Sequence, residues 1–172
     1  MRPREVSAFL KSIVHYPGAP SVFIWGPPGV GKSRVCKQVT TEEKIDFVDL
    51  RLALMDPTDL RGIPIPEDGK AKWLPPSALP TEGRGILFLD ELNLAPPLVQ
   101  ASAYQLVLDR KLGEYELPKD WCVIAAGNKP EHGANAYKMA VPLRNRFVHI
   151  DFETHIDDWR EWAIQNNVKS EV

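Results

Sequence analysis

The stretch "SVFIWGPPGVGKS", residues 21–33, leaves few folds open. An apolar run closes at Trp25, and Gly26 opens an eight-residue segment of the form G-x-x-x-x-G-K-[ST] that ends at Ser33. Behind it Val35, Cys36 and Val39 recur at helical spacing, so the glycine-rich loop is expected between a buried strand and the helix that follows it. Glycines let successive backbone N–H groups turn toward one anion, and the helix N-terminus adds positive potential there. Lys32 then reaches β and γ phosphates, and Ser33 offers a hydroxyl to Mg²⁺. The candidate contact set is Gly26, Pro27, Pro28, Gly29, Val30, Gly31, Lys32, Ser33 and Arg34.

A strand feeding a helix in this way belongs to a sheet of repeated β-α units. Apolar runs at 21–25, 45–50, 86–91, 122–128 and 147–152 supply five strands, and helices are expected over 3–14, 32–41, 96–110, about 136–143 and 156–166. Pro96 and Pro97 suit the first turn of the third of these helices. Residues 51–85 hold six prolines, at 57, 64, 66, 75, 76 and 80, too many for one continuous crossover helix. Within them "GIPIPEDGKAKW" reads as a small hairpin turning at Asp68-Gly69.

Two more strand ends carry polar groups. "ILFLDE" puts Asp90 and Glu91 at the carboxyl end of the third strand, the edge where open α/β sheets bind ligands. Asp90 is the candidate Mg²⁺ partner beside Ser33, and Glu91 the group that polarises an attacking water. "AAGNKP" lacks the final Asp of a guanine-reading Asn-Lys-x-Asp motif, since Glu131 follows Pro130. Asn128, directly at a strand end, is better placed to hydrogen-bond a γ-phosphate and its attacking water.

Composition narrows the function further. At 172 residues the chain suits one domain, and a net charge of −2 argues against a dedicated nucleic-acid surface. No apolar run approaches a membrane span. Cys36 and Cys122 fall in buried elements outside any C-x-x-C pair, which fits a reducing cytoplasm. The four histidines show no metal-binding spacing.

In their order "GPPGVGKS", "LFLDELN", "AAGN" and "PLRNRF" resemble an AAA+ ATPase over nearly the whole chain. "FLDELNLAPPLVQ", "GN" and "LRNRF" are similar to the MoxR group and the midasin and dynein-related modules, which read DE-x-N after the third strand. The resemblance implies a P-loop NTPase three-layer sandwich with a parallel five-stranded sheet of order 5-1-4-3-2 and a hairpin insert between strands 2 and 3. It implies ATP and Mg²⁺, a homo-oligomeric ring of about six subunits, a von Willebrand factor A domain partner, and work as a protein-remodelling chaperone. The core would span 1–153, with 154–172 the start of a truncated helical lid or a C-terminal helix.

The same resemblance makes Arg146, directly before Phe147, the finger that reaches a neighbour's γ-phosphate. The stretch leading into the fifth strand is expected to emerge on the nucleotide side of the sheet, at a subunit face, with Arg144 pairing an acid across that face. Two other functions compete: a nucleic-acid motor or loader, and a nucleotide-dependent switch with little turnover. For the protein-remodelling reading, Ile63, Ile65 and Trp73 of the hairpin are candidate client contacts; the alternative is that Trp73 packs on the domain itself.

Overall fold

Short apolar runs and helical apolar patterns alternate along the chain, and most of them become the strands and helices they predict. The computed structural model describes residues 1–129, 137, 139–165 and 168. In chain order they form α1 (Pro3–Ile13), β1 (Ser21–Trp25), α2 (Lys32–Glu43), β2 (Asp46–Arg51), α3 (Pro57–Arg61), β3 (Ile63–Glu67), β4 (Lys70–Leu74), β5 (Gly85–Asp90), α4 (Pro97–Asp109), β6 (Lys111–Leu112), β7 (Tyr115–Glu116), β8 (Trp121–Gly127), α5 (Val141–Arg144), β9 (Phe147–Asp151) and α6 (Ile156–Gln165).

Five strands make one parallel sheet in the order β2-β5-β8-β1-β9. Numbered by their own succession, this is the expected 5-1-4-3-2. The sheet is covered on both sides, so its strands are apolar on both faces. Phe23, Leu87, Leu89, Val123 and Ala125 pack with Val99, Ala103 and Leu106 of α4. Val22, Ile24, Ile86, Phe88, Ile124 and Ala126 pack with Val6 and Leu10 of α1 and Cys36 and Val39 of α2. Each fully buried Leu, Ile or Phe among these contributes about 1.5–3 kcal/mol relative to exposure.

The insert is a two-residue hairpin. Ile63 pairs with Leu74 and Glu67 with Lys70, and Asp68 (φ 50°) and Gly69 (φ 73°) take the left-handed backbone that a tight turn of this hand requires. Trp73 is half-buried: the Arg61 guanidinium lies 4.8 Å from its ring centroid, and its Cβ borders Gly113 on the turn between β6 and β7. The ring therefore braces the insert against the domain. Ile63 and Leu74 remain about half exposed.

Two expectations differ from what forms. The helix expected near 136–143 is a single turn over 141–144; Met139 and Ala140 precede it, while residues 136 and 138 lie outside the described part. Pro142 explains the shift, because a proline is tolerated in a first turn but would strike the preceding turn of a longer helix. A second hairpin, β6–β7, stands where no element was expected, its strands too short for a periodic signal.

Helix α6 is tied back to the start of the chain. Asp158, nearly buried, accepts from Arg2 Nη2 at 2.6 Å and from Arg4 Nε at 3.0 Å. Burial by itself raises this carboxyl, and the hydrogen bonds and charges of Arg2 and Arg4 outweigh it, so the acid is held below its ordinary range. A depressed carboxyl contributes stability above its unfolded pKa, near 3.9, and loses it as pH falls through the folded value. Asp158→Asn should therefore lower Tm by roughly 2–4 °C at pH 7, and the gap should vanish as both proteins are taken toward pH 2. A gap unchanged with pH would remove the charge from the account.

Candidate functional site

Because β1, β8 and β5 are adjacent and parallel, their carboxyl ends arrive side by side. The Gly26 amide donates to the Gly127 carbonyl at 3.2 Å and closes the edge between two of them. Beyond it the chain turns through Gly29 (φ 74°) and Gly31 (φ 96°) into α2, with Gly31 as its N-cap. Nothing lies within 4 Å of a Cβ built at either glycine, so the left-handed backbone, not crowding, excludes other residues. The first amides of α2 have no partner inside the helix and adjoin a cleft of about 250 Å³. Pro28 to Ser33, Asp90, Glu91, Gly127 and Asn128 line it.

Lys32 is the charge at the centre. Only 8% exposed, its ammonium donates to Gly26 O (2.9 Å), Pro27 O (2.8 Å) and Asn128 Oδ1 (3.0 Å), one acceptor for each proton. Burial pulls its pKa down while the carboxylates of Asp90 and Glu91 push it back up. Asp90 Oδ1 in turn accepts the Glu91 amide at 3.0 Å. Glu91 holds φ 56°, a left-handed position sparsely used by residues with a side chain and costing on the order of 1 kcal/mol or more. On the far side of Asp90, burial first and then the Asp90 charge raise the Asp49 carboxyl. Cys36, wholly buried beneath the loop, has its thiol driven up by the same two causes in the same order and is no nucleophile.

Asn128 is held at two points. Its side-chain oxygen faces Lys32, which leaves the amide N–H groups as its donors toward a ligand. Its backbone carbonyl accepts from Asn93 Nδ2 at 2.7 Å. Asn93 is 3% exposed and was not singled out as a site residue, although it is the last letter of DE-x-N. The signal was a polar residue inside an apolar run, two positions after an acidic pair.

The other expected residues fall elsewhere. Gly26 and Pro27 meet Lys32 through their carbonyls, and the Arg34 guanidinium leaves the loop to lie 4.5 Å from the centroid of Trp162 on α6. Arg144 and Arg146 are exposed on the turn before β9, and among the described residues neither has an ion-pair or hydrogen-bond partner through its guanidinium. Their placement needs correction. β9 runs parallel to β1 with Phe147 opposite Ser21, so Arg146 enters at the amino-terminal edge of the sheet and not on the nucleotide side. Four residue steps, about 13 Å, separate that level from Trp25, where the glycine-rich loop begins. The turn is pinned: Trp25 Nε1 donates to His149 Nδ1 at 2.8 Å, and His149 Nε2 donates to the Arg144 carbonyl at 2.8 Å.

A larger hollow of about 320 Å³ lies between the two hairpins, lined by Ile65, Trp73 and Tyr115 among others. Its one lysine, Lys72, is already paired with Glu67 at 2.6 Å, and among the described residues no helix N-terminus opens into it. The smaller cleft has the chemistry.

The donor set of that cleft suits a polyphosphate with Mg²⁺. Unpaired helix amides and Lys32 offer positive charge, while Ser33 and Asp90 supply the one or two oxygen ligands that Mg²⁺ takes from protein when phosphates provide more. Among the described residues no helix is long and apolar enough to cross a membrane.

Residues 21–147 match the family described as AAA domain, dynein-related subfamily. No curated protein matches the chain in sequence. Among solved structures it is similar to a candidate ATPase from Cytophaga hutchinsonii (19% identity, TM-score 0.69, 97% of this chain and 51% of that one). It is also similar to NtrX from Brucella abortus in complex with ATP (19%, 0.60, 97% and 41%). A third is a mutant form of RuvB from Thermotoga maritima (17%, 0.65, 96% and 52%). These identities carry the fold, and the chain spans about half or less of each structure's length. The family match runs from the strand before the glycine-rich loop to the residue after Arg146, most of the chain, and this protein therefore belongs to the dynein-related subfamily of AAA domains.

Proposed function

We propose that this chain is the ATP-hydrolysing module of a MoxR-like remodelling machine that works as a ring in the cytoplasm. The observation that carries the reading is the convergence of Lys32, Asp90, Glu91 and Asn128 on one cleft at the head of α2. On this reading residues 1–153 are the nucleotide-binding core and 154–172 begin a lid. A von Willebrand factor A domain protein is the proposed partner, and a protein the proposed client. The Glu67–Lys72 pair leaves the insert little free positive charge for a nucleic acid.

ATP would enter with its phosphates on the α2 amides, and Lys32 would exchange the Gly26, Pro27 and Asn128 oxygens for β and γ phosphate oxygens. Ser33 and Asp90 would hold Mg²⁺, which neutralises charge on the phosphates. Glu91 takes a proton from the attacking water as its oxygen bonds to the γ-phosphorus. The bond to the β,γ-bridging oxygen breaks, and ADP leaves with that electron pair. Asn128, its side-chain oxygen no longer committed to Lys32, orients both the water and the γ-phosphate. Arg146 stands at the opposite strand edge and without a partner among the described residues, which favours a finger offered to the next copy.

Lys32→Ala should fold normally and lose ATP binding, read by a labelled nucleotide; undiminished binding would end the reading. Glu91→Gln should keep nucleotide bound and lower turnover on the order of a hundredfold or more, because an amide cannot accept the proton. Retained turnover would refute the role.

Arg146→Ala should bind ATP normally and hydrolyse it roughly a thousandfold more slowly. Mixed with Lys32→Ala, it should regain activity at interfaces that join an intact loop to an intact finger. Co-assembly without recovery would show that Arg146 does not act on a neighbour.

A further inference from the structure

Asn93 carries an unmatched group. Its Nδ2 donates to the Asn128 carbonyl at 2.7 Å, but its Oδ1 is buried with no hydrogen-bond partner among the described residues. The orientation is forced, because turning the amide over would set two oxygens against each other at hydrogen-bond distance. Burying an unmatched carbonyl lowers stability, and a leucine of similar shape would avoid that. Position 93 is therefore poorly chosen for packing.

The neighbouring backbone is fitted to this side chain. A Cβ on Gly127 would lie 2.3 Å from Asn93 Oδ1 and 2.8 Å from Phe23 Cζ, so β8 can end against the amide only through a glycine. Asn93 follows Glu91 by two residues on the 3₁₀ turn Leu92–Leu94, which the Leu94 amide closes onto the Glu91 carbonyl at 2.9 Å. One short turn thus bears Glu91 at its cap and, through Asn93, grips the backbone of Asn128.

We infer that Asn93 is a positioning residue: its amide ties Asn128 to the turn that bears Glu91, so that the group sensing the γ-phosphate and the group activating water are set by a single rigid strut. The inference rests on the ATPase reading above. The Lys32–Asn128 bond is surrendered when Lys32 turns to phosphate, and the Asn93 bond is then the hold that remains on Asn128. Without it the sensor is free to move relative to Glu91, while the loop and α2, which carry nucleotide affinity, are untouched.

Asn93→Leu separates this from a structural role, since it removes both the strut and the unmatched carbonyl. The variant should be at least as heat-stable as wild type and bind Mg·ATPγS and Mg·ADP with affinities within about threefold of it. Turnover should fall roughly a hundredfold, as expected for loss of alignment between reacting groups. Asn93→Asp, isosteric but without the donor, should show the same turnover loss. Independently of turnover, the ¹⁵N side-chain amide signal of Asn128, assigned by its loss in Asn128→Ala, should differ between the two nucleotides in wild type and not in Asn93→Leu. A variant that still distinguishes the nucleotides, or one that turns over like wild type, overturns the strut. Loss of affinity for both nucleotides would make Asn93 part of the loop's support and overturn it as well. If the wild-type signal itself does not distinguish them although both bind, Asn128 is no γ-phosphate sensor and the strut has no function. If wild type binds neither, the ATPase reading fails first.

Discussion

A lysine ammonium almost removed from water is the constraint around which this domain is organised. Such a group persists as a cation only if each proton has an acceptor or carboxylates stand close by, and Lys32 has both. The two loop carbonyls come from the curl of residues 26–31, the third acceptor from the end of β8, and the carboxylates from the end of β5. Only a parallel sheet with β8 between β1 and β5 brings these three sources to one point. The strand order and the glycines that bend the loop are thus conditions for housing one positive charge.

Three oxygens of the chain already hold that charge, so phosphate binding would be an exchange and not an addition. Phosphate oxygens replace carbonyl and amide oxygens around the ammonium, and the net gain is the difference between charged and neutral acceptors. The amides at the head of α2 are in a different situation, because among the described residues no acceptor meets them. Affinity for the phosphate chain would come chiefly from those amides, and discrimination by its length from what Lys32 and Asn128 do once released.

Much of this was legible in the sequence because the signals were local. The loop "GPPGVGKS" and its flanking strand and helix, the acids after "ILFL" and the Asn after "AAG" each announce a strand end, and the resemblance gave their order in the sheet. The Asp68-Gly69 hairpin was equally plain from its turn residues. What escaped depends on contacts between distant segments. For Trp73 a client contact and packing on the domain were both open from the sequence, and its contacts with Arg61 and Gly113 decide for packing. Asn93 reads as one polar letter in "ELNL", and its significance lies in a carbonyl thirty-five residues away. The direction of Arg146 was misjudged because a stretch that precedes a parallel strand enters at the edge opposite to the one where the loops leave.

That opposed edge constrains assembly. If the finger reading holds, every copy carries an incomplete site at one end of its strands and the missing cation at the other. Two copies related by a twofold axis present the same patch to each other, whereas this division asks unlike patches to meet, head to tail. Such contacts propagate until they close on themselves, so the natural end state is a ring with as many complete sites as subunits, and an open arc always lacks one. Activity then becomes a cooperative property of closure, falling faster than protein concentration on dilution, and a subunit held apart from its neighbours is switched off with its own cleft intact.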